Sequence, residues 1–181
     1  SNTSTAAGAH IPRLRIPECI TNQRFEWRGR GFCGGAIEHQ FHKYEHPAPG
    51  YPPIRMLYKY GGSQIGTMCE TNRYARMYHS ENLEFALFQS IWFEGETPFA
   101  DLILPACTNF ERYDISEFGN CSGYIPDNYS FCNHRVIVMQ KKAIEPLGES
   151  KSDYEIFRAI TRRFGLEDVF AEGKDELDWC R

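Results

Sequence analysis

The sequence predicts an α/β fold built on a parallel β-α-β unit, and three observations carry that prediction. Two apolar runs, Ile54-Arg55-Met56-Leu57-Tyr58-Lys59-Tyr60 and Leu83-Glu84-Phe85-Ala86-Leu87-Phe88-Gln89-Ser90-Ile91, read as strands. The second is apolar on both faces for much of its length, the pattern of a parallel strand covered on two sides. Between them runs a polar, helix-compatible segment from about Glu70 to His79. Aromatic residues make up 14% of the 181 residues and hydrophobic residues 41%, which supplies a core and excludes a disordered chain.

Residues 1–53 are rich in Gly, Pro, Arg and aromatics with no sustained period, and read as an irregular lead-in that packs on other domains. Within it, Ile11 to Pro17 is expected to be extended, because proline turns the residue before it away from helix. Residues 54–112 form the β-α-β core. Gly61-Gly62-Ser63 ends its first strand, and Ala100 to Leu104 reads as a short third strand stopped by Pro105. Residues 113–150 read as an insert followed by an extended arm or edge strand at Arg135 to Met139. Residues 151–181 are a helical tail. Ser152-x-x-Glu155 has the capping-box pattern, Ile156, Phe157, Ile160 and Phe164 recur at helical spacing, and Gly165 stops the helix. Asp175 to Cys180 starts one more.

Composition excludes several classes of function. The net charge is −4, so no general basic field exists to hold a nucleic acid. No run of roughly 18 apolar residues is present to span a membrane. The seven cysteines include no C-x-x-C pair, which argues against zinc sites and redox dithiols and for reduced thiols in a cytoplasmic setting. Asn120-Cys121-Ser122 and Asn128-Tyr129-Ser130 match the glycosylation pattern, but no secretion signal accompanies them. The chain begins Ser1-Asn2-Thr3 without Met, which reads as a piece of something larger or as a processed protein.

Four constellations bear on chemistry. Tyr60 to Thr67 is a glycine loop between a strand and a helix, where backbone N–H groups can turn toward a phosphate and Ser63 and Thr67 add hydroxyls. An ordinary strand-to-helix turn has the same residues. The second strand exits through Ser90-Ile91-Trp92-Phe93-Glu94-Gly95-Glu96-Thr97, whose acids suit the N–H groups of a purine or pterin, or simply a solvated turn. Glu38, His39, His42 and His46 would cluster on a short helix as metal ligands, or lie separately on the surface. Arg112, Tyr113, Asp114, Tyr124 and Tyr129 pair phenols with an acid, useful in proton transfer but also frequent by chance among ten tyrosines.

One longer string is more specific. Glu96-Thr97-Pro98-Phe99-Ala100-Asp101-Leu102-Ile103-Leu104-Pro105 resembles the T-x-x-A-D-[LIV]-[LIV]-L-P signature of the molybdopterin oxidoreductases of the dimethyl-sulfoxide-reductase family. Phe110-Glu111-Arg112, Gly119-Asn120 and Gly148-Glu149-Ser150-Lys151-Ser152-Asp153 follow in the family's order. Gly61-Gly62-Ser63-Gln64 stands where the family has G-[GS]-N-P, and His10 to Pro17 resembles its lead-in.

The resemblance implies a Rossmann-like three-layer parallel-sheet segment, part of a larger multidomain enzyme and not active alone. It implies a molybdenum bis(molybdopterin guanine dinucleotide) cofactor. Gly62, Ser63, Gln64, Ser90, Ile91, Glu96, Thr97, Arg112 and Asp153 match cofactor-binding positions. Ser63 replaces the family's Asn, and Ile91 stands where an acid often receives guanine, so Glu94 or Glu96 takes that role or backbone groups do. The metal ligand lies upstream, so none is assigned here. Iron–sulfur clusters belong to a partner subunit or another region.

Ser63-Gln64, Trp92 to Gly95 and the insert from Tyr113 to Cys132 resemble the family's polyphenol transhydroxylase type, which moves a hydroxyl from pyrogallol to phloroglucinol without net redox. That implies a small aromatic substrate within reach of Tyr113, Tyr124 or Tyr129, and as partners the rest of the catalytic subunit and an iron–sulfur subunit. The alternatives are another molybdopterin oxidoreductase, transferring oxygen or electrons, and a non-catalytic nucleotide-binding α/β module.

Overall fold

The computed structural model describes residues 11, 13–29, 42–115 and 138–181. The chain divides into two compact units, one of residues 1–88 and 93–103, the other of 89–92 and 104–181.

In the first unit a 3-10 turn, Arg13–Arg15, leads into helix α1, Ile16–Thr21. The expected extended run is therefore helical at its end. Pro17 sits in the first turn, where the missing N–H has no partner to lose and the fixed φ suits a helix. Strand β1, Phe25–Gly29, pairs antiparallel with β2, His42–His46, so the lead-in has regular structure. Opposite residues share a face, so Phe25, Trp27, Tyr44 and His46 lie on one side, with ring centroids 5.9 Å apart for Phe25–Trp27 and 5.6 Å for Trp27–Tyr44. Glu26 and Lys43 pair on the other at 2.9 Å.

This ladder overturns the helical spacing expected for His42 and His46. The chain is a strand there, with a period of two, and His39 and Glu38 lie outside the described residues. Among the described residues no three metal-ligating side chains converge. Burial holds the His46 imidazole below its ordinary pKa.

Strand β3, Met56–Tyr60, and strand β4, Phe85–Ser90, flank helix α2, Thr71–Tyr78. With β5, Leu102–Pro105, they form a three-stranded parallel sheet in the order β3-β4-β5. Pro105 is the last residue of β5 rather than its stop. Helix α2 buries Tyr74, Met77 and Tyr78, one face at i, i+3, i+4. They close on Ile20 of α1 and on Ala86 and Phe88 of β4. Tyr78 meets Phe88 edge-on and stacks on Phe99. Asp101 secures the sheet by accepting from the Ala86 N–H at 2.8 Å and donating its own N–H to the Ala86 carbonyl at 2.9 Å.

In the second unit β6, Asp114–Ile115, pairs antiparallel with β7, Met139–Gln140. These are the described ends of the expected insert and arm; residues 116–137 lie outside the described set. Helix α3, Asp153–Arg163, begins at Ser152, whose hydroxyl accepts from the Glu155 N–H at 3.2 Å. Only that half of the expected box forms, since Glu155 faces Arg158 at 3.9 Å. Helix α4 is Glu167–Ala171, and α5, Glu176–Trp179, carries a reciprocal capping box between Asp175 and Asp178. Among the described residues no helix is long and apolar enough to cross a membrane.

Met77 is 0% exposed within this core. Met77→Ala is expected to cost about 2–5 kcal/mol, measured as faster hydrogen exchange across α2 and β4. Unchanged exchange there would place Met77 outside the cooperative core.

Candidate functional site

Each unit carries a polar centre among the described residues. In the first, β3 hands the chain to the glycine loop. Gly61 and Gly62 both have positive φ, 61° and 63°, and a Cβ built on either would meet nothing within 4 Å. The loop is bare at that point, as close approach of a ligand to backbone requires.

Beyond Gly62 the loop turns inward. The Ser63 hydroxyl donates to Glu96 Oε2 at 2.7 Å, and the Gln64 N–H donates to Glu96 Oε1 at 2.5 Å. Ser63 Oγ in turn accepts from the Gly66 N–H at 2.8 Å, and the Thr67 hydroxyl donates to the Ser63 carbonyl. Of the two hydroxyls expected to face a ligand, Ser63 gives its proton to Glu96 and Thr67 to the loop itself. The Gln64 side-chain carbonyl accepts from the Tyr78 hydroxyl at 3.3 Å.

Glu96, between β4 and β5, is 0% exposed. Lys59 of β3, only 7% exposed, reaches it at 2.8 Å and Glu94 at 2.9 Å, with its ammonium 5.5 Å from the Phe88 ring centre. Burial alone raises the pKa of a carboxyl. Here the bonds from Lys59, Gln64 and Ser63 outweigh burial and hold Glu96 below its ordinary value. Thr97 is buried beside it, its hydroxyl accepting from the Glu94 N–H at 2.9 Å.

In the second unit the end of β4 matters. Gln89, 1% exposed, donates its side-chain amide to Asp153 Oδ1 at 2.5 Å. Arg112 grips the other Asp153 oxygen and also bonds Asp114 at 2.8 Å and Asn109 at 3.2 Å. Arg112 Nε is buried with no hydrogen-bond partner among the described residues. Asp153 is the first residue of α3, where the helix dipole favours an anion. The Arg112 turn is held by Glu111, which accepts from the N–H and hydroxyl of Thr108 and from the Leu147 N–H at 2.6–2.7 Å. These bonds keep the Glu111 carboxyl below its usual range.

A cavity of about 260 Å³ opens here, lined by Arg112, Tyr113, Asp153, Tyr154, Glu176 and Trp179 among others. Burial pushes the Glu176 carboxyl up. Ser90 is half-buried, its carbonyl accepting from the Ala106 N–H at 3.1 Å, and Ile91 is exposed. Tyr124 and Tyr129 lie outside the described residues.

The structure thus brings Arg112, Asp153 and Tyr113 together, and separately Ser63, Gln64, Glu96 and Thr97. Sequence reasoning passed over Lys59 and Gln89, and quoted Glu111 in the family string without giving it a role. Gln89 carried a signal, being a polar side chain in a strand that reads as covered on both faces, and such groups need partners.

The family model described as molybdopterin oxidoreductase matches residues 48–163. The chain belongs to the molybdopterin oxidoreductase family. Among molybdopterin enzymes, it is 66% identical over 180 residues to the pyrogallol hydroxytransferase large subunit of Pelobacter acidigallici, covering 99% of this chain and 21% of that protein. It is 34% identical over 176 residues to the dimethyl sulfoxide/trimethylamine N-oxide reductase of Cereibacter sphaeroides, covering 97% and 18%. Trimethylamine-N-oxide reductase 1 of Escherichia coli O157:H7 is 32% identical over 130 residues, 72% of this chain and 14% of that protein. The chain therefore spans about a fifth or less of the length of these curated relatives.

The lowered pKa of Glu96 makes the loop pH-sensitive in one direction. A depressed carboxyl adds stability that is complete above its unfolded value near 4.5 and lost as pH falls through the depressed one. Protection of the Gln64 amide, corrected for intrinsic exchange, is expected to hold from neutrality to the ordinary carboxylate range and to fall only below it. A loss of protection between pH 6 and 8 would assign the clamp to another group.

Proposed function

We propose that this chain holds the guanine-dinucleotide arm of a molybdopterin cofactor. We also propose that the whole enzyme transfers a hydroxyl between polyphenols, from pyrogallol toward phloroglucinol, without net redox change. The observation that carries the first part is the Arg112 guanidinium beside a cavity, fixed by Asp153 and Asp114, its buried Nε without a hydrogen-bond partner among the described residues. The 66% identity to a pyrogallol hydroxytransferase large subunit supports the second.

The residues fit such a group. The bare Gly61-Gly62 turn admits close approach of a phosphate, and an arginine fork is the side chain best suited to bind one. Gly62 and Ser63 serve through loop backbone and Ser90 and Ile91 through the exit of β4, while Gln64, Glu96 and Thr97 support the loop from beneath. Asp153, each of whose oxygens takes one hydrogen bond among the described residues and can accept a second, accepts from the N–H groups of guanine. Tyr113, Tyr124 and Tyr129 are proposed to face the aromatic substrate. When bound, the metal–pterin group supplies the group-transfer chemistry, and the chain supplies binding and electrostatics. The rest of the catalytic subunit and an iron–sulfur subunit complete the enzyme. The cysteine spacing, with no C-x-x-C pair, supports placing the enzyme in a reducing, cytoplasmic setting.

Molybdenum, pterin and guanine nucleotide assayed in the full-length protein test the cofactor. Arg112→Ala and Asp153→Ala are expected to lower recovered guanine nucleotide about tenfold, the scale of one lost charge-assisted bond. Normal occupancy in both would remove them from the site. For the reaction, the enzyme is expected to convert pyrogallol with no external electron acceptor. An absolute need for an acceptor would favour the oxidoreductase reading that the reductase relatives support.

A further inference from the structure

We propose that Lys59 and Glu96 are positioning residues that hold the glycine loop in its cofactor-receiving shape without touching the cofactor. This rests on the cofactor reading above. Glu96 reaches the loop from the connection between β4 and β5, more than 30 residues along the chain, and both of its oxygens are engaged there. With the Ser63 hydroxyl and Gln64 N–H drawn inward, the turn that remains open is Gly61-Gly62.

The neighbouring glycines serve the same arrangement. A Cβ at Gly66 would meet Ser63 Oγ at 2.9 Å, and one at Gly95 would meet Ile65 Cγ2 at 3.3 Å. Substitution at Gly66 therefore pushes against the serine that the carboxylate holds.

Stability alone is a poor reason for this pair. Desolvating two charges offsets most of their attraction, and apolar replacements of similar size are often as stable. Removing one partner, in contrast, leaves a buried charge unanswered. A carboxylate that accepts a backbone N–H and a hydroxyl, backed by an ammonium, fixes loop geometry in a way an apolar pair does not.

The test uses full-length enzyme carrying Glu96→Gln, Lys59→Met, both together, or Met77→Ala as a core control. Thermal midpoint is measured beside guanine nucleotide retained after prolonged dialysis. Each single variant is expected to retain about tenfold less nucleotide. The double variant is expected to recover its midpoint but not its retention. Met77→Ala is expected to melt earlier and keep its nucleotide.

Retention that follows the midpoint across all four variants overturns the proposal. So does wild-type retention in Glu96→Gln while Arg112→Ala loses nucleotide, and that result leaves the cofactor reading standing. No guanine nucleotide in the wild-type protein overturns the cofactor reading and this inference with it.

Discussion

A polar group buried at the end of a strand must be answered by its own chain, and this constraint organises both centres of the molecule. Strand β4 is covered on both faces, with Ala86, Leu87, Phe88 and Gln89 all buried in succession. The apolar members build the core, but Gln89 brings an amide to the strand's end, and leaving it unpaired would cost about 1–3 kcal/mol. Asp153 accepts it, and the same carboxylate then orients Arg112. On β3 the equivalent demand comes from Lys59, whose ammonium meets Glu94 and Glu96. Each buried polar group recruits a charge, and each charge fixes a loop.

The parts legible in the sequence are those where neighbours in the chain decide the outcome. The apolar runs mark β3 and β4, and the polar segment between them marks α2 to within a residue or two. Ser152 marks the start of α3 because an N-cap is satisfied by a donor three residues on. Local signals also misled. Proline discourages helix before itself, yet Pro17 in the first turn starts one. Histidines one turn apart on a helix lie about 13 Å apart along a strand, because a strand rises more than twice as far per residue, and β2 is a strand because β1 pairs with it.

The site was less legible because its contacts are distant in the chain. Lys59 and Glu96 are 37 residues apart, Gln89 and Asp153 are 64 apart, and no periodicity links them. The family pattern supplied Arg112 and Asp153 as separate positions. The structure joins them in one ion pair, a contact the string of letters does not show. The pattern did not disclose which way the Ser63 hydroxyl points. It stands where the family has Asn, and its proton goes to Glu96.

That orientation changes what a substitution in the loop means. If the loop receives a phosphate through backbone N–H groups, the side chain at position 63 matters mainly through its bond to Glu96, and the one at position 64 through its bond to Tyr78. Asn offers a donor of its own at position 63, so Ser and Asn can serve the same backbone shape by different bonds. Gly61 and Gly62 have no such latitude, because both sit at positive φ on the open side of the turn. Lys59 and Glu96 have little either, because each is the other's principal answer to burial. Constraint in this loop therefore concentrates on two residues without side chains and two whose side chains never reach the surface.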